Sequence, residues 1–206
     1  MKFLLSALLS AVTLAAAHNT LSSKEIFEGW ILLFDGETTF GWTPEGKAEW
    51  RVADGVLVAD AGESGYLRGN SAFADYVFRC DFRTGPEGNS GIFLRSAKEG
   101  QPHVTGYELQ IFNQHPEWPT ASLVNHRKAK SVQPAPDQWH TYEVTVSGDA
   151  FLVKLDGKKV LETRDSKSRL GHFGLQYNKD RKIEFRNIRL KPLGTKPIFN
   201  GKDLSG

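Results

Sequence analysis

Apolar and polar residues alternate with period two along most of the chain. In Tyr76–Phe82, residues Tyr76, Phe78, Cys80 and Phe82 share one face, and the same alternation marks Gly91–Arg95, Tyr107–Phe112, His140–Val146, His172–Tyr177 and Ile183–Leu190. A period of two is the mark of a strand with one face in a core. Two further pairs of apolar runs, 50–52 with 56–58 and 151–155 with 158–161, flank Asp54-Gly55 and Asp156-Gly157. Asp-Gly supplies the positive φ angles of a tight hairpin turn. Helical periodicity is absent apart from a short turn over Ser23–Gly29. Short strands repeating between turn signals predict an all-β sandwich or barrel. Segments 96–106 and 113–138 are polar, rich in Pro, Gly and His, and too long to be simple hairpin turns. Ordered loops of that length in a compact β domain carry function; their ordinary alternative is idle surface.

The ends of the chain break this pattern. Residues 1–17, MKFLLSALLSAVTLAAA, place Lys2 before a short apolar run that closes on three alanines. This is the form of a cleavable secretory signal, which predicts a periplasmic or secreted protein starting near His18, with 18–29 as a lead-in. No second apolar run reaches the length that spans a bilayer, so no membrane span is expected. At the other end, Leu33–Gly41 (LFDGETTFG) aligns with Ile198–Gly206 (IFNGKDLSG), with Phe34, Gly36 and Gly41 falling on Phe199, Gly201 and Gly206 at a constant offset of 165 residues. That offset is about one domain length, so residues 192–206 read as a linker and the truncated start of a second repeat, whose homologous domain is missing from this chain.

Composition narrows the chemistry. The 26 basic and 24 acidic residues give a net charge of only +2 without a basic stripe, which argues against a nucleic-acid partner. One cysteine, Cys80, rules out an intrachain disulfide, and its place on an apolar face reads as a buried small hydrophobe. The six histidines show no H-x-x-x-H spacing, although His103, His115 and His126 lie in the long loops where they can converge. No G-x-S-x-G, P-loop or dinucleotide fingerprint occurs.

The strands' second faces are the candidate site. Alternation in Asn89–Arg95 sends Asn89, Phe93 and Arg95 away from Ile92 and Leu94, and in Gly106–Phe112 it sends Glu108, Gln110 and Phe112 away from Tyr107, Leu109 and Ile111. In Gly171–Tyr177, Gln176 lies opposite Phe173 and Leu175. A polar face interleaved with aromatic rings suits a sugar, whose hydroxyls take hydrogen bonds and whose C–H faces stack on rings. A solvated outer face is the ordinary alternative.

Taken together, L33-F-D-G36, W50-R-V-A-D-G-V-L58, N89-S-G-I-F-L-R95, G106-Y-E-L-Q-I111, W139-H-T-Y-E-V144, D156-G157, G174-L-Q176 and E184-F-R-N-I-R189 resemble the 3-keto-disaccharide hydrolase family over residues 30–191. The resemblance implies a concanavalin A-like, laminarinase-like jelly-roll sandwich of two antiparallel sheets whose concave face holds carbohydrate. It also implies action on an oxidised (3-keto) disaccharide or glucoside, either cleaving the glycosidic bond or hydrating the resulting enone. An ordinary glycosidase needs two carboxylates about the bond, and laminarinase-like jelly rolls carry them as E-x-D-x-x-E; here Tyr107–Ile111 supplies only Glu108. A ketone beside the reacting carbon acidifies its hydrogen, so one base suffices for elimination.

On that resemblance Glu108 is cast as general base or as ligand of a divalent metal ion, the one cofactor left open. Arg95 is cast as the cation beside the enolate, His126 as general acid, and Asn89, Phe93, Gln110 and Gln176 as substrate-binding residues. The plain alternative for Arg95 and Glu108 is a cross-strand ion pair. Many relatives read L-Q-D-H-G where this chain has L175-Q-Y-N-K179, so Asn178 stands at a frequent His position. That departure favours the competing reading of a non-catalytic carbohydrate-binding module. An extracellular protein-binding domain is a third reading, one that uses none of the polar face.

Overall fold

The computed structural model describes residues 18–130 and 132–195, so the expected signal at 1–17 and the matched nonapeptide at 198–206 lie outside the described residues. In chain order the elements are α1 (Ser23–Phe27), β1 (Ile31–Leu32), β2 (Trp42–Ala53), β3 (Val56–Phe73), β4 (Tyr76–Thr84), β5 (Ser90–Ser96), α2 (Pro102–Thr105), β6 (Tyr107–Ile111), β7 (His140–Ser147), β8 (Ala150–Leu155), β9 (Lys158–Arg164), β10 (Gly171–Tyr177) and β11 (Ile183–Pro192). Every strand pairing is antiparallel, in the order β6-β5-β10-β3-β11-β4-β7-β8-β9, with β2 added to β3 and β1 to β11.

The period-two faces become the core. Tyr76, Phe78, Cys80 and Phe82 of β4, Tyr142, Val144 and Val146 of β7, and Phe151, Val153 and Leu155 of β8 are all buried. They meet the apolar face of β6, β5 and β10: Phe173 stacks on Phe78 at 5.0 Å and meets Tyr76 at 4.9 Å, and Tyr107 meets Phe151 at 4.7 Å. Each such buried aromatic contributes roughly 1.5–3 kcal/mol by leaving water. Desolvation holds the Cys80 thiol well above its usual pKa, so it is an inert core residue.

The two layers of this jelly roll are hydrogen-bonded to one another through β3. Its residues 57–59 pair with β11 in one layer, and residues 65–73 pair with β10 in the other. The antiparallel ladder therefore curls over and faces itself, rather than forming two separate sheets. Both Asp-Gly turns close as expected, with positive φ at Asp54, Gly55, Asp156 and Gly157. Strands β2 and β3 extend far beyond the apolar runs 50–52 and 56–58. Their distal parts are polar and hold Pro44, which an edge strand tolerates, and the β2–β3 pairing shifts register at Gly46/Ala48 and Glu49/Trp50.

The two long loops are ordered where they are described. Segment 96–106 contains α2, and segment 121–124 lies along the free edge of β6. There Ala121 N donates to Gln110 O, Gln110 N to Ser122 O and Val124 N to Glu108 O, each at 3.0 Å. That covers an edge that would otherwise offer unpaired backbone groups, and it fixes the two residues whose side chains floor the site. No helix among the described residues is long and apolar enough to cross a membrane.

Candidate functional site

Glu108 and Gln110, two positions apart on β6, project to the face opposite Tyr107 and Leu109. In the β5–β6 register Phe93 lies opposite Glu108 and Gly91 opposite Gln110. Gly91 leaves the space that the Glu108 side chain fills: a Cβ at position 91 would come within 2.7 Å of Glu108 Oε1 and 3.0 Å of its Cγ. From β10, Gln176 Nε2 donates to Glu108 Oε1 at 3.1 Å. The Gln176 Oε1 accepts from Asn178 Nδ2 at 2.9 Å, and the same Nδ2 lies 3.2 Å from Asn89 Oδ1 and 3.3 Å from the Asn89 carbonyl.

These groups floor an open cleft of about 470 Å³, walled by Asn89, His103, Phe112, His115, Trp118 and Asn125. Glu108 is only 8% exposed, and among the described residues no Lys or Arg pairs with it. Burial without a cation disfavours the carboxylate, and the hydrogen bond from Gln176 offsets this only in part, so its pKa is pushed up from 4.5 to about 7. Gln110 is 4% exposed, and its Oε1 is buried with no hydrogen-bond partner. A buried acceptor left unpaired costs about 1–3 kcal/mol, so a donor brought to it is favoured. On the loop wall, His115 Nδ1 accepts from the backbone N–H groups of Trp118 (2.9 Å) and Glu117 (3.2 Å). Those donors require a lone pair at Nδ1, so the neutral ring carries its proton at Nε2 and is a hydrogen-bond donor.

The cleft thus combines one perturbed carboxyl, several amides and aromatic walls. The family model of the 3-keto-α-glucoside-1,2-lyase-like domain matches residues 29–191. The chain belongs to that family. A 3-keto-disaccharide hydrolase of Bacteroides thetaiotaomicron is 27% identical over 130 residues, which cover 56% of this chain and 45% of the relative, so the match spans less than half of that protein. Among solved structures, a Parabacteroides distasonis protein whose name assigns it provisionally to the glycosyl hydrolases superposes with a TM-score of 0.76 at 22% identity, covering 86% of this chain and 100% of its own. The carbohydrate-binding module CBM66 from Bacillus subtilis does so with 0.56 at 18% identity, covering 72% and 94%. At these identities the structural likeness speaks for the fold, and family membership supports a carbohydrate-active, hydrolase-like function.

Within this 3-keto-α-glucoside-1,2-lyase-like domain, Glu108, Gln110, Gln176 and Asn89 come together as the alternation predicted. Arg95 does not. It is fully buried with φ +52°, and Leu94 and Arg95 together oppose Phe173, a bulge that turns the side chain off the polar face. Its guanidinium donates to Ala74 O (2.7 Å), Gly148 O (2.7 Å), Ser168 O (3.1 Å) and Asp75 Oδ1 (2.8 Å). Arg95 is therefore a structural tie between loops, neither an enolate-side cation nor an ion-pair partner of Glu108. Phe93 shares the Glu108 face but is 3% exposed, sealed edge-on beneath Tyr66 at 5.5 Å, and offers no ring to the cleft.

His126 also falls outside the cleft lining. Its Nδ1 lies 2.9 Å from Asp165 Oδ2 and its ring packs on Tyr107 at 5.1 Å, on the opposite side of β6. The loop histidines that do reach the cleft are His103 and His115. Trp118 carried no signal in the sequence, because no periodicity governs a loop. Asn178, the departure from the family pattern, is wired directly into the polar floor. As for a divalent metal, no group of three or more His, Cys, Asp or Glu among the described residues is placed to hold one. The described neighbours of Glu108 on the floor are amides, with no second carboxylate beside it, and the chemistry is derived from these side chains without a metal.

Proposed function

We propose that this domain cleaves 3-keto-glucosides by base-catalysed elimination, with Glu108 as the base. One observation carries the reading: a buried carboxyl with no cationic partner and a pKa of about 7 floors a polar cleft in a chain of this family. Near neutral pH such a group exists in both forms and can take and return a proton. The carboxylate removes the hydrogen on C2, which the C3 ketone acidifies. The electron pair enters the enolate, the C1=C2 bond forms as the C1–O bond breaks, and the departing oxygen takes a proton. The products are the free alcohol or sugar and a 2-hydroxy-3-keto enone.

In place of the arginine expected beside the enolate, the cleft supplies neutral donors, among them His115 Nε2–H, for the developing oxyanion. Its amides suit the hydroxyls, and Trp118 and Phe112 suit the C–H faces of a sugar. The 17-residue leader further supports a periplasmic or secreted location, checked by N-terminal sequencing of exported protein. The decisive assay incubates the mature protein with 3-keto-trehalose and follows enone absorbance and glucose release. Turnover that disappears in Glu108→Gln supports the reading. Saturable binding with no turnover in the parent protein refutes it in favour of a carbohydrate-binding module.

A further inference from the structure

The amide chain behind Glu108 has a direction. Its far end is the backbone carbonyl of Asn89, which can only accept, so Asn178 must turn its Nδ2 toward Asn89. That Nδ2 also donates to Gln176 Oε1, which leaves Gln176 Nε2 as the group facing Glu108. Inverting the Gln176 amide would set its NH₂ against the Asn178 NH₂ and lose both hydrogen bonds.

We propose that Asn178 is a positioning residue that acts through Gln176 to keep a hydrogen-bond donor aimed at the Glu108 carboxylate. The consequence lies in the protonated state. A free Gln176 amide would invert when Glu108 protonates and accept the new O–H, stabilising the acid. Held by Asn178, it cannot, so the chain favours the ionised base and opposes the effect of burial. The proposal rests on Glu108 being the base only for its catalytic meaning; the effect on protonation stands by itself. The other titratable groups lining the cleft are His103, His115 and Glu117, all on the loops, and substitutions at Asn178 and Asn89 leave each of them present.

The test is a carbon-detected NMR titration of the Glu108 side-chain carboxyl in the parent protein and in Asn178→Leu, Asn178→Asp and Asn89→Ala. Asn178→Leu adds no charge and frees Gln176, and is expected to raise the Glu108 midpoint by about half a unit to one unit, a threefold to tenfold gain in proton affinity. Asn178→Asp, which forces inversion, is expected to raise it further. Asn89→Ala keeps the anchoring carbonyl and is expected to leave it unchanged. A Leu variant with the parent midpoint overturns the proposal, as does a rise confined to Asp, which would be charge alone.

The acid limb of the 3-keto-trehalose activity profile is expected to move with the carboxyl. If the carboxyl moves and activity does not follow, the positioning role stands and Glu108 as base fails. If the carboxyl stays put while Glu108→Gln is inactive, the positioning role fails and the base stands.

Discussion

Replacing Glu108 by Gln tests the physics of the site without any substrate. Gln has the shape of a protonated Glu and still accepts the hydrogen bond from Gln176, but it never ionises. In the folded protein the Glu108 pKa is about 7 against 4.5 for the free side chain, a difference of about 2.5 units. At about 1.36 kcal/mol per unit, ionising Glu108 costs the fold about 3 kcal/mol, and at 8% exposure solvent screening reduces this little. Because the folded pKa is raised, the folded protein binds the proton more tightly than the unfolded chain. The contribution is fully present below about pH 4.5 and is lost as pH rises through 7. Guanidinium unfolding followed by circular dichroism should thus find parent and Glu108→Gln alike at pH 4.5. At pH 8.5 the variant should be the more stable by up to about 3 kcal/mol, or roughly 6–12 °C in Tm for a domain of this size. A difference that does not change with pH, or a variant less stable at pH 8.5, would refute the buried carboxyl without a cationic partner on which the proposed function stands.

Four further outcomes are expected. Arg95→Met removes the donor shared by Ala74, Gly148, Ser168 and Asp75 and should cost about 3–5 kcal/mol in thermal or chemical unfolding; an inactive variant of parent stability would restore Arg95 to the catalytic site. Gly91→Ala drives a methyl into the Glu108 carboxyl, so activity should fall at least tenfold while the circular dichroism spectrum is kept, and unchanged kinetics would contradict the geometry. Trp118→Ala should raise KM about threefold to tenfold with kcat little changed, matching a stacking contribution of roughly 0.5–1.5 kcal/mol. His126→Ala, by contrast, should leave kcat within about threefold of the parent, since a general acid would contribute at least about a hundredfold.

What could be read in advance follows from which residues obey a local rule. Glu108, Gln110 and Gln176 were legible because alternation forces side chains two apart onto one face, and a buried opposite face fixes which one. Phe93 obeyed the rule and still failed as a ligand residue, because Tyr66, from a strand distant in sequence, covers it. Arg95 broke the rule, since one left-handed residue at a bulge redirects a side chain and an arginine there gives no warning of it.

The loop residues obeyed no local rule at all. His126 and His115 look equivalent in sequence. One turns to Asp165 and Tyr107, and the other is held by its own following backbone at the cleft wall. The polar distal halves of β2 and β3 were invisible for a related reason: their pairing is with each other and with β10, and needs no apolar period.

By itself the sequence determined the strand faces, the two Asp-Gly hairpins, the buried cysteine and the carboxyl and amides of the site's floor, all set by interactions within a few residues or by the pleat. Only the tertiary structure decided that Arg95 is a strut, that His103, His115 and Trp118 form the wall, that Asn178 orients Gln176, and that Glu108 titrates near neutrality. Each of those depends on which distant segments exclude water from a group or place a partner beside it. Burial and hydrogen-bond direction are properties of the assembled cleft and are not carried by any one strand.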